Sequence, residues 1–263
     1  MKKNVQPITG CGEGDIAPFV FLCGDPERVP SIAEGWSGAQ EVRNVREYTV
    51  ITGTLEGVPM TAASTGIGAP STAIAVEELA KLGARVFIRV GNSGGLAEAV
   101  KVGDYVITTG AVRDDGTSKS YVIPEYPAVA HYEVVGALAA AAQASGARHH
   151  IGVTWSMDSF YGRNKVVAAG GGLGTMCYGD YNQSWMNGYL LDLKAAGIVN
   201  CEMEAGVLLT LAGLFGLKAG CICTVSDLAP WPGPSADSID LNTNMAGCIE
   251  IATKAMLALA KRD

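Results

Sequence analysis

The chain has 263 residues, of which 48% are apolar, 17% are charged and 34 are glycine, and its net charge is -7. This composition is typical of a globular α/β protein with many tight turns, rather than of a disordered or fibrous one. The acidic balance argues against a general nucleic-acid binder or a binder of anionic membranes, because both need a basic face. Any anion-binding site must therefore be local.

The N-terminal segment "MKKNVQPITGCGEGD" has two lysines but no apolar core behind them, so it does not read as a secretory signal. The most apolar helical stretch, from Ala205 to Leu217, is shorter than the roughly 20 residues that span a bilayer. We therefore expect a cytoplasmic protein. Seven cysteines, three histidines and the absence of a Cys/His cluster predict reduced thiols and no structural metal.

Apolar runs of strand length alternate with helical patterns along the chain. The predicted strands are Phe19 to Cys23, Tyr48 to Leu55, Met60 to Ser64, Val86 to Val90, Tyr105 to Thr109, Ile151 to Trp155 and Ala219 to Val225. The predicted helices are Ser71 to Leu82, Tyr132 to Ala144, Glu202 to Phe215 and Met245 to Lys261. This alternation predicts an α/β fold with a central mixed, largely parallel sheet flanked by helices. No long linker or internal repeat interrupts it, so residues 1–263 are predicted to form one domain.

Two of the predicted strands lead to an arginine beside glycine. The stretch "FVFLCGDPERV" runs from a buried strand into Gly24 and then Arg28, and the strand of "ARVFIRVGNSGG" carries Arg89 before a glycine-rich loop. Both can be ordinary turns, since Gly, Asp and Pro are common turn residues. Open α/β sheets, however, bind ligands beyond the carboxyl ends of their strands, and a glycine-rich loop can direct several N–H groups at one anion. Both interpretations stay open for each segment, but the recurrence of arginine beside glycine at two strands favours an anion site.

Four segments together carry a family resemblance: "GDPERV", "NVREYTV", "STGIGAPSTAIAVEELAKLGARVFIRVGNSGGL" and "NCEMEAGVLLTLAGLFGLKAG". They resemble the uridine phosphorylases and hexameric purine nucleoside phosphorylases, which form one fold family. The resemblance extends from about Asp15 to the C-terminus. It implies that the chain cleaves the bond between a base and ribose C1′ with inorganic phosphate, giving free base and (deoxy)ribose 1-phosphate, without any cofactor.

The resemblance also implies which residues bind phosphate. Gly24, Arg28 and Arg89 match phosphate-binding positions, and arginine suits phosphate because its guanidinium offers paired donors. Arg46 in "NVREYTV" matches an arginine that the family sends across a dimer interface into the neighbouring site. A homo-oligomer is therefore expected, with a dimer as the minimal active unit and a hexamer, a trimer of dimers, as the assembly. On its own, Arg46 would read as an exposed strand charge.

The segment "CEMEAG" supplies the predicted ribose site. Glu204 resembles the residue that binds the 2′ and 3′ hydroxyls, Met203 the residue under the ribose, and Glu202 a supporting neighbour. A carboxylate at the sugar fits glycosyl transfer, because the transition state carries positive charge on the ring. Two glutamates at a helix start can equally be favourable partners of the helix dipole.

The chain departs from the family near both ends of the substrate. Asn92 stands where a hydroxyl usually donates to phosphate; an amide can also donate, and Ser93 is a neighbour that could share the role. The family often has a histidine near the N-terminus that reaches the ribose 5′-hydroxyl in a neighbouring site. Here Ile8 stands at or near that position, and Gln6 is a substitute donor.

The base-binding segment points in two directions. In "SMDSFYGRNKVV", Phe160 matches the residue that stacks on the base, but Asn164 and Val166 stand where uridine phosphorylases have glutamine and arginine, and Arg163 is shifted. Conversely, "CICTVSDLAP" resembles the purine branch, in which an aspartate at Asp227 protonates N7 of the leaving base. Asp227 also suits a turn or a helix cap.

We therefore predict a nucleoside phosphorylase of the uridine phosphorylase type, with a purine nucleoside phosphorylase using Asp227 as general acid as the alternative. Glu204, Arg89 and Asp227 are the predicted catalytic residues. A hydrolytic nucleosidase would have no use for an arginine-lined phosphate pocket, and a non-catalytic nucleoside-binding protein would have little use for Glu204. Both remain further alternatives.

Overall fold

The computed structural model describes residues 4–232 and 240–262. Its strands are β1 (Phe19–Cys23), β2 (Ser37–Val45), β3 (Tyr48–Leu55), β4 (Val58–Ser64), β5 (Val86–Gly95), β6 (Tyr105–Asp114), β7 (Ala128–Val129), β8 (His149–Met157), β9 (Lys165–Val167), β10 (Leu173–Thr175), β11 (Asn200–Glu202) and β12 (Lys218–Leu228). Its α-helices are α1 (Val29–Ile32), α2 (Ala69–Lys81), α3 (Gly116–Tyr121), α4 (Tyr132–Ser145), α5 (Phe160–Arg163), α6 (Ser184–Ala195), α7 (Ala205–Phe215) and α8 (Met245–Ala260).

Ten of these strands form one mixed sheet in the order β11-β8-β6-β12-β5-β1-β4-β3-β2, with β7 paired to β6. Its centre is parallel, since β5 pairs in parallel with β1 on one side and with β12 on the other. Antiparallel pairs follow at β6, β3 and β2. The predicted fold class, an α/β protein with a mixed sheet flanked by helices, is confirmed.

Helices cover both faces of the sheet, and each face has its own apolar cluster. On one face, Val134 of α4, Ile251 of α8 and the sheet residue Ile88 belong to one apolar cluster. On the other face, Val76 of α2, Leu208 of α7 and Phe87, the neighbour of Ile88 in β5, belong to another. Successive side chains of a strand point to opposite faces, which explains why the central strands read as continuous apolar runs.

Three predicted boundaries are wrong. The glycine-rich stretch after Arg89 is not a loop, because β5 continues to Gly95 and pairs with β12 throughout. Ser71 is not the N-cap of α2; the cap is Gly68, and the helix begins at Ala69. The helix predicted from Glu202 begins later: α7 begins at Ala205, and Glu202 is the last residue of β11.

Glycine is required in β5 because neighbouring side chains occupy the space that a Cβ would fill. A Cβ at Gly91 would lie 2.8 Å from Nη2 of Arg89, and one at Gly94 would lie 3.1 Å from Oδ2 of Asp227. The glycines therefore let the side chains of Arg89 and Asp227 lie against the strand.

Candidate active site

A cavity of about 650 Å³ opens where the carboxyl ends of β1, β11 and β12 surround β5. The structure brings most of the predicted site residues to its wall: Gly24, Arg28, Arg89, Asn92, Phe160, Asn164, Glu202, Met203, Glu204 and Asp227. These residues come from five separate parts of the chain, and the sheet topology places them around one space. Ser93, the neighbour of Asn92, also lines the cavity.

Arg89, Glu202 and Glu204 form a buried charge cluster on one wall. Nε of Arg89 donates to Oε2 of Glu202 at 3.0 Å, and its Nη2 forms an ion pair with Oε2 of Glu204. Burial opposes the charge on Arg89, but the carboxylates of Glu204 and Glu202 raise its pKa well above the ordinary value. Burial raises the pKa of Glu204, and Arg89 counteracts that rise.

The two glutamates have different surroundings. The carboxylate of Glu202 accepts hydrogen bonds from the backbone N–H groups of Glu204 at 2.8 Å and Ala205 at 2.9 Å. It therefore satisfies donors at the start of α7, where a negative charge also suits the helix dipole. Glu204 instead accepts from the N–H of Gly68, and its side chain lines the cavity.

One donor of Arg89 has no acceptor. Its Nη1 atom is buried and makes no hydrogen bond within the described parts of the chain, although the guanidinium borders the cavity. An unsatisfied buried donor of a charged group is unfavourable by several times the energy of an ordinary hydrogen bond. An anionic ligand in the cavity would satisfy it.

Arg28 reaches the same cavity from the turn after β1. It is only 8% exposed, and its Nη2 donates to Oδ1 of Asn92 at 2.6 Å. Asn92 in turn donates through Nδ2 to the carbonyl of Leu241 at 2.7 Å. The amide oxygen of Asn92 thus orients Arg28, while one N–H of the amide is already engaged.

Another part of the cavity wall contains the aromatic ring of Phe160 and the carboxyl group of Asp227. The ring of Phe160 lies 5.5 Å from that of Trp231, centroid to centroid. Burial raises the pKa of Asp227, and a hydrogen bond from Ser226 at 2.8 Å opposes that rise. Oδ1 of Asn164 is buried without a partner among the described residues. This part of the cavity wall offers an aromatic surface and a small number of polar groups.

Two predicted site residues lie outside the cavity. Arg46 is exposed in the turn between β2 and β3, with a left-handed φ of 56°. Arg163 is directed away from the cavity: its Nη2 donates to Asp114 at 3.1 Å, and its guanidinium lies 5.1 Å from the ring centroid of Trp185. Their assigned roles stay predictions.

The N-terminal residues also lie away from this cavity. The backbone N–H of Ile8 donates to Oε1 of Glu78 at 3.1 Å, which fixes the segment to α2. The side chain of Gln6 donates to Asn4, so it is engaged within its own loop.

Sequence reasoning missed Ser226 and Gly68 as parts of the site. Ser226 lines the cavity and donates to Asp227, and Gly68 donates to Glu204. Ser226 directly precedes Asp227 in "VSD", and this adjacency could have indicated that Ser226 belongs to the site. Nothing local indicates the second, because Gly68 and Glu204 are far apart in the chain.

Comparison with known proteins agrees with this geometry. The chain matches the model of the family described as the phosphorylase superfamily over residues 18–261. It is 48% identical over 225 residues, 85% of this chain and 78% of the relative, to a uridine phosphorylase of Thermococcus kodakarensis. It is 36% identical over 260 residues, 97% of this chain and 99% of the relative, to a guanosine phosphorylase of Halorubrum lacusprofundi.

A third relative is a uridine phosphorylase of Escherichia coli strain K12, which is 39% identical over 227 residues, covering 86% of this chain and 87% of the relative. The chain belongs to the phosphorylase superfamily. The predicted family is therefore confirmed.

Two further observations bear on other functions. Within residues 4–232 and 240–262, no helix is both long and apolar enough to cross a membrane. In the same residues, no group of three or more His, Cys, Asp or Glu side chains is arranged to hold a metal ion.

Proposed function

We propose that the protein catalyses the phosphorolysis of a nucleoside, releasing the free base and (deoxy)ribose 1-phosphate. The unsatisfied Nη1 of Arg89 is the observation that carries this proposal. Arg89 lines the same cavity as Arg28, so two arginine side chains are available to one phosphate. Its relatives named uridine phosphorylase confirm the predicted reaction class.

The set of groups that line the cavity supports the reaction. Phosphate would bind at Arg28, Arg89 and Asn92, with Gly24 leaving room for it. The ribose would lie on Met203 with its hydroxyls at Glu204, and the base would face Phe160. A phosphate oxygen then forms a bond to C1′ while the bond from C1′ to the base nitrogen breaks, and the electron pair leaves with the base.

Each group has a distinct part in this step. The arginines position the nucleophile and reduce the repulsion between its charge and the nearby carboxylates. Glu204 accepts from the ribose hydroxyls and stabilises positive charge on the ring as the bond to the base breaks. Glu202 holds both Arg89 and the start of α7, so it positions the cluster rather than the substrate.

We propose a pyrimidine nucleoside of the uridine type as the first substrate class, because two of the three relatives given above are named uridine phosphorylase. A 6-oxopurine nucleoside is the second class, supported by a specific observation. Asp227 lines the same cavity as Phe160 and has a raised pKa, as a general acid requires. A relative named guanosine phosphorylase aligns with nearly the whole chain.

The decisive experiment is an assay of base release from uridine, thymidine, inosine, guanosine and adenosine, each with and without phosphate. A phosphorylase releases base only with phosphate and forms the sugar 1-phosphate. Equal release in phosphate-free buffer would identify a nucleosidase, and binding without release would identify a nucleoside-binding protein.

We further propose that the active unit is a homo-oligomer, at least a dimer and assembled as a hexamer. The exposed position of Arg46, outside the cavity of its own chain, supports a role in a neighbouring site. Residues 1–263 are proposed to act as one domain in the cytoplasm, with inorganic phosphate as co-substrate and no cofactor.

A further inference from the structure

A buried lysine that follows α5 in the chain lies outside the lining of the active-site cavity. Lys165, the first residue of β9, is 1% exposed, and its Nζ donates to Oδ1 of Asn182 at 2.5 Å. Within residues 4–232 and 240–262, no aspartate or glutamate forms an ion pair with this ammonium. Lys165 is therefore a buried cation whose described partner is neutral.

Lys165 borders a second cavity, of about 320 Å³. Its lining contains two cationic side chains, several neutral polar groups and no carboxylate: Ser159, Gly162, Arg163, Lys165, Cys177, Tyr181 and Gln183. None of these residues lines the active-site cavity. The second cavity is thus separate from the first and has a positive lining.

The charges of the two cations are unequally compensated. Arg163 donates to Asp114 at 3.1 Å, so its charge has a counter-ion. An ammonium has three donors, and the described hydrogen bond of Lys165 uses one of them. Burying a charge is unfavourable unless it is paired, and burial accordingly lowers the pKa of Lys165.

We propose that this second cavity binds a small oxyanion, with Lys165 as its main ligand and Arg163, Tyr181 and Gln183 around it. A phosphate, a sulfate or a carboxylate shares the required chemistry, since each supplies oxygen acceptors and negative charge to the ammonium. The proposal concerns a site distinct from the catalytic one, so it stands or falls independently of the reaction.

The test measures thermal stability of the full-length protein against sulfate, at constant ionic strength kept with sodium chloride. The active site also attracts sulfate, so the series is made in an Arg28→Met background. A ligand that binds the folded state raises its melting temperature. We expect a saturable rise in this background, loss of most of the rise on adding Lys165→Met, and retention of much of it with Lys165→Arg.

The matched control is Lys119→Met, which removes an exposed lysine of α3. It should leave the sulfate-dependent rise unchanged. The methionine side chain has the length of lysine without its terminal ammonium, and it carries no charge that needs a counter-ion. The melting temperature of Lys165→Met should therefore equal or exceed that of its parent when sulfate is absent. An unchanged sulfate response in Lys165→Met would overturn the proposal, as would the absence of any response in the Lys165-containing parent.

A local signal gives a second measurement. The ring of Trp185, 53% exposed, lies next to Arg163 and can report binding through its fluorescence. We expect a saturable change with the same midpoint as the thermal response, absent in Lys165→Gln and in the signal control Trp185→Phe. A change that persists in Lys165→Gln would contradict the proposal. Parallel titrations with phosphate and acetate distinguish a tetrahedral anion from a carboxylate.

Discussion

Replacing Glu204 with glutamine removes one negative charge from the buried cluster and keeps the size of the side chain. Glu204 is 4% exposed, forms an ion pair with Arg89 and accepts a hydrogen bond from Gly68 at 2.5 Å. The amide of glutamine can still accept from Gly68 through its oxygen. It cannot stabilise positive charge on the ribose as a carboxylate does.

The expected loss is large for the chemical step. Removing one preorganised group at a developing charge lowers kcat by about 10²- to 10³-fold, or about 3–4 kcal/mol of transition-state stabilisation. Phosphate affinity should stay equal or rise. A carboxylate about 7 Å from a phosphate charge repels it by about 2 kcal/mol at an effective dielectric constant of 20, and the substitution removes that repulsion.

The assay is initial-rate kinetics with varied nucleoside and varied phosphate, combined with phosphate titration of the inactive variant. The matched control is Asp115→Asn, since Asp115 is another buried carboxylate that accepts a backbone N–H, that of Ser118, and lies outside the cavity. It should lower the melting temperature and leave kcat within about threefold, the scatter of independent sites.

The reasoning for Glu204 would be refuted by parallel losses of kcat and of phosphate affinity. It would also be refuted by a variant that melts at a lower temperature but turns over normally when folded. The first result would place Glu204 in the phosphate site, and the second would make it structural.

Four other predictions follow from the same site. Base release should require phosphate, and a rate that is independent of phosphate would exclude the two-arginine site as a nucleophile site. Asp227→Asn should lower purine turnover by about 10²- to 10⁴-fold and lower uridine turnover less. In the unmodified protein, purine turnover should fall as the pH rises through the raised pKa of Asp227, because the acid form is lost. This pH dependence should be absent in the variant. Mixing Arg46→Met with Glu204→Gln subunits should restore activity if Arg46 serves the neighbouring site, whereas mixtures as inactive as their parents would assign both residues to one chain. Gly91→Ala should raise the KM for phosphate by about tenfold, or about 1.4 kcal/mol, because its Cβ displaces Arg89, while Gly188→Ala, which meets no atom within 4 Å, should not.

The centre of the fold could be predicted from the sequence because local pattern and tertiary burial agree there. The bounds of β1 and β3 match their predicted apolar runs, and α4 begins at the predicted Tyr132. Buried parallel strands are apolar throughout, so a short run between turn residues identifies them.

The failures occur where a tertiary contact overrides a local signal. The glycines after Arg89 indicate a turn by propensity, yet β12 pairs with them along their whole length. The secondary structure from β9 through α6 is not predicted from the sequence. Its strands are only three residues long, and its glycine-rich stretch shows no apolar periodicity.

The same limit applies to the candidate site. The residues predicted to bind phosphate and ribose were named from the sequence, since family motifs carry them, and the structure brings all of them except Arg46 to one cavity. The direction of Arg163 could not be predicted, because it depends on Asp114 and Trp185, which are distant in the chain.

The position of β5 between two distant partners affects how the protein is made. Arg89 pairs with Leu22 of β1, which is synthesised early, and with Cys221 of β12, which is synthesised about 130 residues later. A nascent chain that ends before Lys218 therefore leaves β5 as an open edge, and open edges favour pairing with other chains. The ligand pocket closes only when synthesis is nearly complete, so chains released early should aggregate rather than bind phosphate.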